Sequence, residues 1–169
     1  MSRPPGASRA DAALRRGTAF VRAIAPRGSV SASPRVAGNI LAELDRLLFV
    51  LIGQAALDRR VELPARSRDN AVRLSALLDA RAVGPRLRAL ACSVSCLRRH
   101  EGRAHQADRR GCGFMTVGWS DEAAPSAVPL RRFKLGENIV PSAEQLDDVC
   151  AFYDQLAQVM TMNSGPPAR

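Results

Sequence analysis

Between residues 36 and 57 the apolar residues Val36, Ile40, Leu44, Leu47, Leu51 and Ala55 recur every three or four positions, with Leu41, Leu48 and Ile52 widening the stripe. That period is helical. Within it the run LLFVLI, 47 to 52, leaves almost no polar face, and a helix that is apolar nearly all round has to be enclosed by other elements. The chain is therefore expected to build a helical bundle around this segment.

Three further helices follow from the same reasoning. Ser67 can cap a helix running to about residue 81, with Asp69 in the first turn and Ala71, Leu74, Leu77 and Leu78 facing inward. Pro85 suits the first position of the next helix, along which Val83, Leu87, Leu90, Val94 and Leu97 mark a core face until it frays near Gly102. The last helix opens with a capping box, Ser142 and Gln145, and carries Leu146, Val149, Tyr153, Leu156 and Met160 on one stripe. Between these two helices, FMTVGWS at 114 to 120 and RRFKL at 131 to 135 have strand composition and read as a loose hairpin. The expected fold is mainly α: an antiparallel four-helix bundle over residues 36–161, with a short β-hairpin-like insertion at 113–135 before the last helix.

At 169 residues the chain can bury a core without disulfides or a structural metal. No apolar run approaches the roughly 20 residues of a membrane span, so a soluble protein without membrane association is expected. The net charge is +9, but Lys134 is the sole lysine, and residues 1–35 hold seven arginines against Asp11 alone. Residues 36–169 are nearly balanced, eighteen basic against fifteen acidic, so attraction to a polyanion is expected mainly from the N-terminal segment. That segment reads as a disordered basic arm over 1–35, although AALRRGTAFVRAIA, 12 to 25, can form an amphipathic helix with Leu14, Val21 and Ile24 on one side; a mitochondrial presequence has the same look. The tail, 162–169, is expected to be disordered. Cys92, Cys96, Cys112 and Cys150 lack the dense pattern of a secreted disulfide scaffold, which suits free thiols and a cytoplasmic location.

The chemistry-bearing stretch is CLRRHEGRAH, 96 to 105, which holds both histidines of the chain, His100 and His105. On the third helix Cys92 and Cys96 fall almost opposite Val94, in a seam with Ala89 and Ser93 that other helices of the chain or a second copy would cover; a homodimer through this Cys92/Cys96 face is one expectation. Zinc is the first chemistry to weigh, but Cys92, Cys96 and His100 climb about 6 Å per four residues along one helix and cannot all share an ion, which leaves two of them with His105 and Cys112 of the following loop as the alternative set. Neither a metal nor a cofactor is expected. Phosphodiester chemistry is the second: an imidazole moves protons near neutral pH, and a neighbouring guanidinium holds a phosphate through two hydrogen bonds. His105 would take a proton from a ribose hydroxyl or give one to the leaving oxygen, with Arg99 on the phosphate.

Arg99-His100-x4-His105 at the end of a helix in a small bundle resembles the R-x(4 to 6)-H motif of HEPN-domain proteins. The resemblance implies a metal-independent ribonuclease, often a toxin or defence component, working as a dimer, with Arg99, His100 and His105 as catalytic residues. Gly102 within the motif and the insertion at 113–135 depart from that pattern. RNA is thus one expected partner, although one Trp, one Tyr and five Phe offer no platform for stacking bases. Set beside the ribonuclease, the leading expectation is a small intracellular interaction or regulatory protein without an active site.

Overall fold

A computed structural model describes residues 6–28, 30, 33–120 and 129–162. The fold is mainly helical, with a small antiparallel hairpin before the last helix, as the sequence predicts. Its central element is α2, Pro34–Arg59, which packs against every other long helix. Ser33 caps it by accepting from the Val36 N–H, and Pro34 occupies the first turn. Leu41, Leu44, Leu48, Leu51, Ile52 and Ala55 are buried, whereas Val36 at the expected start of the stripe is exposed.

The first correction concerns the N-terminal arm. Residues Gly6–Ile24 form a 19-residue helix, α1, followed by a 3-10 turn, Ala25–Arg27. Leu14 and Val21 are 0% and 2% exposed, and Gly17 lets the helix close on α2, since a Cβ there would lie 2.9 Å from Leu47. Polar groups complete the docking. Thr18 donates to Asp154 (2.7 Å), and Arg22 bridges Asp147 and Asp154 at 2.6 Å each. Both acids lie on α5, Ala143–Met162, so the arginines of this segment are partly committed to holding the bundle together. The stretch 163–169 of the expected tail lies outside the described residues.

The second correction concerns the helix expected over 67–81. Only Asn70–Ser75 is helical (α3), capped by Asp69 rather than Ser67; the Ser67 hydroxyl instead accepts from the Asp69 N–H. Beyond Ser75 the N–H groups of Leu77 and Leu78 both converge on the Leu74 carbonyl, which tightens the chain into turns. The fourth long helix of the bundle is therefore α1, not the 67–81 segment.

Helix α4, Gly84–Arg99, has Pro85 in its first turn, and α5 has the expected capping box, with reciprocal Ser142 and Gln145 bonds of 2.8 and 3.2 Å. Strands β1, Phe114–Thr116, and β2, Arg132–Lys134, pair with Met115 opposite Phe133. Met115, Val117 and Trp119 alternate into the core. They cover the side of α4 that carries Ser93 and Cys96: Cys96 is 2% exposed with its sulfur 3.7 Å from that of Met115, and the Gly118 N–H donates to the Ser93 hydroxyl. On the Cys92/Cys96 face expected to meet a second copy, Cys96 is thus packed under the chain's own hairpin, while Cys92 is half-buried. Helix α4 is covered on two sides, with Leu97 against Gly38 of α2 and Leu90, Ser93 and Cys96 against β1 and the segment after it, and Val94, expected at the core centre, is only half-buried.

Candidate functional site

The predicted residues Arg99, His100 and His105 lie at the end of α4. His100 terminates the helix, its N–H still donating to the Cys96 carbonyl. Glu101 (φ 53°) and Gly102 (φ 73°) then turn the chain back through two left-handed residues. Returning, the chain is bonded to the segment after β2: Ile139 N–H to Gly102 O, Ala104 N–H to Glu137 O and Gly136 N–H to Ala104 O, at 2.8, 2.9 and 2.8 Å. This clamp delivers His105 onto His100, with ring centroids 3.8 Å apart and planes inclined by 15°. The reversal needs Gly102, the residue that departs from the motif, because a Cβ there would lie within 3.0 Å of Val140 and Pro34.

The structure thus brings the two imidazoles together, with His100 half-buried and His105 exposed. Arg99 is exposed and has no ion pair or hydrogen bond among the described residues, while the Arg103 guanidinium is engaged by the Gly136 carbonyl. No group of three or more His, Cys, Asp or Glu among the described residues is arranged to hold a metal.

A second site has no counterpart in the motif reading. A cleft of about 530 Å³ opens between α2 and α4, with Tyr153 of α5 at its base. Its walls carry Ala42 and Phe49 of α2 and Leu90, Ala91 and Val94 of α4; Arg46, Arg68 and Arg98 add cationic groups. Asp45 is the lone carboxylate in the lining. Asn70, at the start of α3, fixes it by donating from one amide nitrogen to the Asp45 carbonyl (2.9 Å) and carboxylate (2.8 Å). Burial pushes the Asp45 carboxyl above the ordinary carboxylate range; the Asn70 bond offsets part of this, and the Asp69 charge adds to it. Tyr153 is driven well above the ordinary phenol value, first by burial and then by Asp45, so it keeps its proton. The cleft therefore combines apolar walls, a desolvated acceptor and several guanidinium groups.

Sequence reasoning missed this site because its residues fall in four separate segments, around 42–49, 68, 90–98 and 153. No family model, curated protein or solved structure matches this chain.

Proposed function

We propose that the protein is a binding and regulatory protein rather than an enzyme, and that the α2–α4 cleft is its working surface. The observation that carries this reading is the desolvated Asp45 carboxyl at an apolar-walled opening of about 530 Å³. Concave apolar sites of a few hundred Å³ with a few fixed polar groups are the usual form of small-ligand sites. Four cysteines free of disulfides support a reducing compartment such as the cytoplasm. In a fragment screen by amide NMR, hits are expected to shift the signals of Ala42, Ala91 and Val94, and Ala91→Trp, which fills the cleft, is expected to abolish those shifts. Hits confined to other surfaces, or hits unaffected by that substitution, would remove the reading.

The stacked imidazoles favour one second reading, a HEPN-like metal-independent ribonuclease. Here His105 takes the ribose 2′-hydroxyl proton, the resulting oxygen attacks the neighbouring phosphorus, and His100 protonates the departing 5′-oxygen while Arg99 holds the phosphate. The products are a cyclic phosphate and a free hydroxyl, and RNA is the partner. Incubation with RNA in the presence of a chelator tests it: cleavage lost in Arg99→Ala and His105→Ala supports the enzyme, and unchanged RNA or cleavage indifferent to both substitutions rejects it.

A further inference from the structure

We infer that the α2–α4 cleft takes a small amphipathic anion, its apolar body between the helices and its carboxylate or phosphate held by Arg68 and Arg98; the inference rests on the cleft being the working surface. The three guanidinium groups are not equivalent. Arg46 is neutralised by Glu43 through two bonds of 2.8 and 2.6 Å. Arg68 and Arg98 have no ion pair or hydrogen bond among the described residues, whereas Arg15, Arg22 and Arg86 are all paired with carboxylates. Two uncommitted cations beside apolar walls match an anionic head on an apolar body.

Arg98 is also held in place. Its stem crosses α2 at Gly38, where a Cβ would lie 2.6 Å from Arg98 Cγ and 2.9 Å from Leu97 Cβ. Packing the stem against the helix while leaving the guanidinium in water reduces the freedom lost when an anion binds.

Asp45 sets the direction of binding. No salt bridge joins it to the arginines of the same cleft among the described residues, and Asn70 is its side-chain hydrogen-bond partner. A half-buried carboxylate repels the anionic head from its own end and welcomes a hydroxyl or amine on the opposite end of the ligand. The ligand class is therefore anion at one end, rigid apolar or aromatic body, and hydrogen-bond donor at the other.

Calorimetric titration of the full chain with three matched probes tests this: naphthoate, the hydroxynaphthoate with its hydroxyl opposite the carboxylate, and naphthylmethylamine. Naphthoate is expected to bind at least about tenfold more tightly than the amine, and Arg68→Ala or Arg98→Ala to weaken it about tenfold each. The added hydroxyl should tighten binding in the parent and not in Asp45→Asn. Both arginines are exposed, and the thermal melting of each variant is measured beside the titration so that lost binding is read only from folded protein. Amine binding as tight as naphthoate, or arginine variants that bind like the parent, would overturn the anionic ligand. If no probe binds while fragments still shift cleft signals, the ligand class is wrong and the cleft reading stands; if neither probes nor fragments engage it, both fall.

Discussion

At Gly102 the chain requires two things of one residue: a left-handed backbone and the absence of a side chain. The preceding Glu101 shares the first condition at φ 53°, while the second comes from Val140 and Pro34, which close on Gly102. Gly102→Ala is expected to cost about 1–3 kcal/mol by urea denaturation and to separate the His100 and His105 rings, visible as lost ring-current shifts in the imidazole proton spectrum. Asp45 gives the second residue-scale expectation. Its carboxyl is raised by burial, so the folded state binds the proton more tightly than the unfolded chain. The resulting stabilisation is fully present below the unfolded carboxylate value and is lost as pH rises through the folded one. Asp45→Asn removes that loss. Its melting temperature should exceed the parent's at neutral pH, with the advantage shrinking on acidification; a parent that melts higher at neutral pH would contradict this account.

Among the elements, the Arg86–Asp148 pair joins α4, α5 and the loop after β1. The two meet at 2.6 Å with side-chain exposures of 20% and 7%; Asp148 also accepts from the Ser120 N–H, and Arg86 donates to the Gly118 carbonyl. Removing one partner strands the other, so Asp148→Ala is expected to cost about 3–5 kcal/mol in chemical denaturation, while the double change to Met at 86 and Leu at 148 recovers most of it. This pair also shows where sequence reading stops. The stripe of Leu146, Val149, Tyr153, Leu156 and Met160 was fully legible, and all five are buried. Asp147, Asp148 and Asp154 lie off that stripe, and nothing local in the sequence reveals that an arginine more than 60 residues away will pair with each of them. The hairpin was legible from β-branched and aromatic composition. The shortness of α3 was not, because its turns depend on Asp69, rather than Ser67, winning the cap.

For the molecule as a whole, the largest misreading was α1. Its inward positions include Ala10, Gly17 and Thr18, small or polar residues that contribute little to a hydrophobic pattern, and its arginines dominated the composition. Leu14 and Val21 were nonetheless the right two anchors. Because α1 packs on both α2 and α5, a chain beginning at Ser33 should lose cooperative unfolding: burial of Leu14 and Val21 alone is worth about 3–6 kcal/mol, a large share of the stability of a domain this size. A sharp thermal transition by circular dichroism in that truncated chain would contradict it. The sequence singled out His100 and His105 but not their stacking, which depends on the reversal at Gly102, nor the cleft, which exists only when α2, α4 and α5 meet.

The clasp of α1 by Asp147 and Asp154 also sets an order of assembly. On the ribosome α1 and α2 emerge well before α5 and can form a helical pair early, yet the carboxylates that fasten Arg22 and Thr18 belong to α5. Until α5 has been made, the flank of α1 that it covers stays bare, and a nascent chain stalled before residue 142 keeps that flank open to water.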